Sequence, residues 1–104
     1  MAITNAQLAS TTTTQLFLAS GQQAVTTMIF CNVTTGTDAT FNVYVVPYGS
    51  NAGHSTQILN AVALPATETF SIDTERLILE NNDAIYARAS VGSTVVATIS
   101  SIAT

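Results

Sequence analysis

The chain has no lysine and no tryptophan, and only 8% of its 104 residues are charged. An average soluble domain carries about 25% charged residues. Arg76 and Arg88 are the only cations, set against six acids, and the net charge is -4. Engaging a phosphate backbone takes clustered Lys and Arg, so this balance argues against nucleic acid. It argues equally against an anionic membrane surface.

Other shortages close further classes. Cys31 is the single cysteine, so no intrachain disulfide forms and a disulfide-stapled secreted mini-domain is excluded. Its apolar setting, Met28-Ile29-Phe30-Cys31, predicts a buried thiol. Zinc takes several Cys or His ligands, and this chain holds one of each. Met1-Ala2-Ile3-Thr4-Asn5 has neither the positive n-region nor the apolar h-region of a signal peptide, so none is expected. No stretch reaches the roughly 20 apolar residues of a transmembrane helix. Without a secretion signal, the sequon Asn32-Val33-Thr34 reads as a chance match.

What fills the chain instead is threonine, 18 residues, on a 47% hydrophobic background. The length fits one domain, able to bury roughly two-thirds of its unfolded surface. The charges are unevenly placed. Asp38 is the only one before Glu68, and the other seven fall between Glu68 and Arg88. Free soluble proteins disperse charge over their surfaces. A neutral surface of Thr, Ser, Asn and Gln suits contact with other protein.

Period-two alternation and β-branched residues predict strands nearly throughout. In Gln23 to Val33, residues Val25, Thr27, Ile29, Cys31 and Val33 share one face, opposite Thr26, Met28, Phe30 and Asn32. Phe41 to Val46 follows a glycine-containing turn, with Phe41, Val43 and Val45 together, and the two segments read as a long hairpin. Pro47 ends the second strand. A loop runs from Tyr48 to His54, and Gln57 to Leu64 is apolar up to Pro65. Thr67 to Ile72 alternates again.

Arg76 to Val91 reads as a second hairpin. Asn81-Asn82 suits a type I′ turn, pairing Ile78 with Ile85, Leu77 with Tyr86, and Glu75 with Arg88; it also sets Glu80 against Asp83, which a widened loop would relieve. Thr94 to Ile102 is a last strand. Near the N-terminus, Thr11 to Ala19 is strand-like, with Leu16 and Leu18 opposite Phe17, and Asn5 to Ala9 suits a strand or one helical turn. The expectation is a single all-β domain over 1–104. It is an antiparallel β-sandwich, Ig-like or jelly-roll-like, of seven to nine short strands, with 1–15 a candidate N-terminal arm.

Chemistry is sparse. Glu68, Asp73, Glu75, Glu80 and Asp83 cluster in sequence but match no calcium loop. His54 lies in Gly53-His54-Ser55 with no nucleophile elbow, and the Gly49 to Gly53 loop has neither a lysine nor a following helix to bind phosphate. No catalytic, metal or cofactor-binding residue is expected, and the protein reads as a non-enzyme. Tyr48, Asn51 and His54 are the only loop cluster on which a carbohydrate could stack and bond.

The segment Leu77-Ile78-Leu79-Glu80-Asn81-Asn82-Asp83-Ala84-Ile85-Tyr86-Ala87-Arg88-Ala89-Ser90, leading into Val95-Val96-Ala97-Thr98-Ile99-Ser100, resembles a pattern in small β-sandwich virion proteins of tailed bacteriophages. There an Asp-x-Ile-x-Ala-x-Ala-Ser hairpin precedes a last Val/Thr-rich strand. Phe41 to Pro47 and Leu64 to Thr69 are similar to the same group. The resemblance implies a structural protein in the virion, made in the host cytoplasm. It would assemble as a homo-oligomer, a trimer among the candidates, and bind the major capsid protein or other virion proteins. Capsid decoration, or cement, is the first expectation. A neck, tail or baseplate accessory is the alternative, and a carbohydrate- or surface-binding module the second. The charged 68–88 region is then expected to face solvent on the assembled particle.

Overall fold

A computed structural model describes residues 2–10, 12–72 and 77–103. Nine strands are described: β1 (Ala2–Gln7), β2 (Thr14–Leu18), β3 (Gln23–Asn32), β4 (Ala39–Val46), β5 (Gln57–Leu64), β6 (Thr69–Ile72), β7 (Leu77–Leu79), β8 (Ala84–Ala89) and β9 (Val95–Ala103). They form two antiparallel sheets packed face to face. The front sheet runs β1-β9-β3-β6, with β7 also on β3; the back sheet runs β2-β8-β4-β5.

β6 and β7 lie on the same side of β3. Thr69 to Ile72 pairs with its later residues and Leu77 to Leu79 with its first three. Together they fill one edge position of the sheet. Counted that way, the eight-strand order is that of a jelly roll. The stretch considered as an arm contributes β1, paired along β9 from Ala2↔Ser101 to Gln7↔Val96.

Both expected hairpins are absent. β3 and β4 belong to opposite sheets, as do β7 and β8. At 80–83 the reason is turn geometry. A type I′ turn needs positive φ at both central residues, and of Asn81 and Asn82 only Asn82 has it, at 71°. The turn bonds elsewhere: Asn82 N–H donates to the Ala19 carbonyl (2.9 Å) and Ala19 N–H to that of Asp83 (2.8 Å). The strand after it therefore joins β2. Ile85 pairs with Phe17 and Val45, and Tyr86 with Gln15 and Tyr44, in place of Ile78 and Leu77. The Asp83 carboxylate accepts the N–H of Glu80, and of Tyr48 beyond β4, each at 2.9 Å. The expected clash between Glu80 and Asp83 is thus a capped turn. Glu75, the expected partner of Arg88, lies outside the described residues.

Bulges account for the face assignments that differ. The β3–β9 register shifts between Val25 and Thr27. Val25 turns inward while Met28, Phe30 and Asn32 also point inward, leaving Thr27, Ile29 and Cys31 on the outer face. The register shift at Gln15/Phe17 in β2 likewise buries both Leu16 and Phe17 and leaves Leu18 exposed. Thr67 belongs to a turn before β6: its φ is 68°, and Glu68 N–H donates to the Pro65 carbonyl.

The core lies between the sheets. Phe30 of β3 and Phe41 of β4 stack with ring centroids 4.4 Å apart, and Phe70 of β6 meets Phe41 at 5.7 Å in a tilted arrangement. Val25, Val43, Ile85, Val95 and Ile99 surround them, all at most 2% exposed. A fully buried side chain of this size contributes about 1.5–3 kcal/mol.

Candidate functional site

A concavity lies on the outer face of the back sheet. The β4–β5 register runs from Phe41↔Val62 to Val43↔Leu59, so Asn60 and Ala61 together oppose the single residue Asn42. Ala61 takes a left-handed φ of 51°, and its N–H donates to Asn42 Oδ1 at 2.6 Å. This β-bulge bends β5, a device often found beside functional sites. Small residues pave the floor. The result is a depression of about 270 Å³ lined by Thr40, Asn42, Asn60, Ala61, Arg88, Ala89 and Ser90. A second, about 250 Å³, shares Thr40 and Ser90 and extends past Ala63 and Pro65 to Asp38.

Arg88 sits opposite Asn42 in the β4–β8 register. Its Nε donates to the Ser10 carbonyl at 2.7 Å, and it has no carboxylate partner among the described residues. Ser90 and Thr40 bond twice: Ser90 N–H donates to the Thr40 carbonyl (2.8 Å), and Thr40 N–H donates to Ser90 Oγ (2.9 Å). Asn60 Oδ1 accepts from Gln57 Nε2 at 3.0 Å. Asp38, at the far end, accepts the Ala66 N–H at 3.0 Å.

The residues singled out from sequence lie elsewhere. Tyr48 is 75% exposed, and His54 is exposed on a short 3-10 turn, His54–Thr56. Asn51 contributes its carbonyl to Thr56 Oγ1. Among the described residues no hydrogen bond joins the side chains of Tyr48, Asn51 and His54. Glu80 accepts from Gln22 Nε2, Asp83 caps its turn, and Glu68 is exposed. Asp73 and Glu75 lie outside the described residues. No group of three His, Cys, Asp or Glu side chains converges among the described residues. Cys31 is half-buried on the outer face of β3, not enclosed as the sequence suggested, because Phe30 and Asn32 take the two inward positions beside it.

Asn32 is 1% exposed. Its Nδ2 donates to the carbonyls of Thr37 (2.8 Å) and Leu64 (2.9 Å), and its Oδ1 accepts from the N–H and hydroxyl of Thr34. Both amide hydrogens are committed inside the fold, so the sequon gives the folded protein no accessible acceptor. The Arg88–Asn42 depression had no sequence signal beyond the broken alternation at Asn60-Ala61, because only cross-strand register brings β4, β5 and β8 side chains together.

The outer face of the front sheet differs. Ile3, Ile78 and Ile102 are 68%, 57% and 39% exposed there, and Val33 beyond β3 is 53% exposed. Ala24 pairs with both Ile102 and Ile78, so the isoleucines continue a row across β9, β3 and β7. Ala24, Ile29, Cys31 and Val96 join Thr, Ser, Asn and Gln at the remaining outward positions, and no charged side chain among the described residues projects from this face. The described charges sit instead on turns or, for Arg88, on the back sheet. This corrects the picture of one charged hairpin.

Matches were sought among known protein families, curated proteins and solved structures, and none was found. The reading of function therefore rests on the chain's own surfaces.

Proposed function

We propose that this protein is a non-enzymatic structural component that self-associates and packs against other protein through the outer face of its front sheet. The observation that carries this reading is the outer face, uncharged among the described residues, with its exposed isoleucines. Contiguous apolar surface rimmed by polar residues marks interaction sites. At a net charge of -4, two copies gain no overall attraction from charge, and a face without charge spares them local repulsion. This face allows such an approach, and a second copy can bring the same patch to it about a two-fold axis.

The setting we favour is a tailed-phage virion, with the protein on the capsid shell as a decoration or cement protein. Its support is the resemblance of the 77–100 segment and a jelly-roll order of a kind used in viral capsid domains. A fold alone does not carry a function. A neck, tail or baseplate position draws on the same features.

Sedimentation velocity over a range of protein concentrations tests the first part. A reversible or stable oligomer is expected, and a monomer throughout the range, with no affinity for particles, overturns it. A virion density map tests the second, with the chain expected on the outer shell. A location on the tail would replace decoration by the accessory role.

A further inference from the structure

The depression around Arg88 has a hydrogen-bonding imbalance that points to a ligand class. Its acceptors are largely engaged within the fold. Asn42 Oδ1 receives the Ala61 N–H, Asn60 Oδ1 receives Gln57 Nε2, and Ser90 Oγ receives the Thr40 N–H. The donors are left over. With each amide oxygen so held, the Nδ2 groups of Asn42 and Asn60 have no partner among the described residues. Arg88 uses Nε on the Ser10 carbonyl, which leaves its two terminal nitrogens, and the Ser90 hydroxyl retains its proton. A guanidinium has no acceptor capacity and matches a carboxylate in a planar, two-point contact.

From this surplus of donors we propose that the depression binds the carboxylate of an acidic sugar, such as a uronic acid. The guanidinium of Arg88 and the Asn42 amide hold the carboxylate. The polar shelf of Thr40 and Ser90 meets ring hydroxyls, and Ala61, with Ala63 and Pro65 further along, offers apolar contact. The concavity lies over the middle of β4, whose backbone is already paired on both sides by β5 and β8. The free edge of this end of the sheet lies on the far side of β5 from β4, so an extended acidic peptide adding to that edge lies outside the depression, whereas a compact ring inside it needs only side chains. The assignment is independent of the proposed assembly face, which lies on the opposite sheet.

The test is titration of the ¹⁵N-labelled protein with D-galacturonate, followed by amide shifts, in parallel with D-galactose, inorganic phosphate and a glutamate-rich peptide. Galacturonate is expected to move the amides of Thr40, Asn42, Ala61 and Ser90, and galactose to bind at least tenfold more weakly. Arg88→Gln is expected to lose the response. Asn42→Asp keeps the oxygen that accepts from Ala61 and adds a repelling charge, so it is expected to lose the response with its thermal unfolding little changed. No response to galacturonate, an equal response to galactose, or retained binding in folded Asn42→Asp overturns the proposal. Stronger binding of phosphate or peptide at the same amides also overturns it, by assigning the donors to another anion.

Discussion

The side-chain amide of Asn32, at the end of β3, donates to the main-chain carbonyl of Leu64, at the end of β5, across 2.9 Å. The two strands belong to different sheets, so this bond ties the sandwich together at one end. The same amide anchors the Thr34 to Thr37 turn that carries the chain from one sheet to the other.

Asn32→Ala removes one side chain and takes this partner from the Leu64 carbonyl and the Thr34 N–H; the Thr37 carbonyl keeps the Thr34 hydroxyl. Buried groups stripped in this way cost about 1–3 kcal/mol each, less where water reaches them. A loss of about 2–4 kcal/mol is expected in urea unfolding. Asn32→Asp keeps the acceptors but not the donors and buries a carboxylate, so it is expected to be no more stable than the alanine variant. A loss below about 1 kcal/mol in Asn32→Ala would show that the tie is dispensable.

Phe30→Ala opens the centre of the core, where the ring is fully buried against Phe41. Such truncations cost about 3–5 kcal/mol, a large part of the 5–15 kcal/mol typical of a domain. Chemical denaturation is expected to register a drop of that size, and Phe30→Leu a markedly smaller one.

Thr67 holds a φ of 68° at the third position of the Pro65 to Glu68 turn. That position of a type II turn favours glycine, and a β-branched residue there is strained. Thr67→Gly is expected to raise stability by about 0.5–1 kcal/mol, the strain released being partly offset by the greater freedom of glycine when unfolded. Calorimetry is expected to show an increase of a few degrees in Tm; a decrease would mean that the Thr67 side chain contributes more than its backbone costs.

Ile78→Lys places a charge within the neutral face, at a site already 57% exposed. Folding stability is expected to change by less than about 0.5 kcal/mol, as for most surface substitutions, while the sedimentation coefficient falls to that of the monomer. Cys31 lies on the same face and supplies a second readout. Its reaction with a maleimide is expected to be slower in the oligomer than in Ile78→Lys. Equal thiol reactivity and an unchanged oligomer would move the interface elsewhere.

Much of the architecture was legible because strand formation is local. Alternation and β-branching marked Phe41 to Val46, Gln57 to Leu64 and the last strand, and the prolines at 47 and 65 closed two of them. The all-β sandwich follows from that pattern. Strand partners were not legible. Asn81-Asn82 looked like a hairpin turn, but only the backbone at Asn82 enters the left-handed region, and the Asn82 N–H and the Asp83 carbonyl bond to Ala19. In a jelly roll most turns pass from one sheet to the other, so neighbours in sequence stack across the core instead of pairing at an edge.

The bulges set a second limit. One extra residue at Val25/Thr27 reverses which face a strand buries from that point on, and period two carries no mark of it. At Asn60-Ala61 the alternation is broken, but nothing in it says that the displaced backbone makes a depression beside Arg88.

Composition by itself determined that this chain is short of charge, that its cations are two arginines, and that its strands carry an uncharged surface, because those are properties of residue type. Only tertiary structure decided where that surface lies. The bulge in β3, the cross-sheet turns and the pairing of Ala24 with Ile78 and Ile102 gather neutral side chains from four strands onto one face. The pairing of β8 with β4 puts Arg88 beside Asn42, with its terminal nitrogens unpartnered among the described residues, on the other.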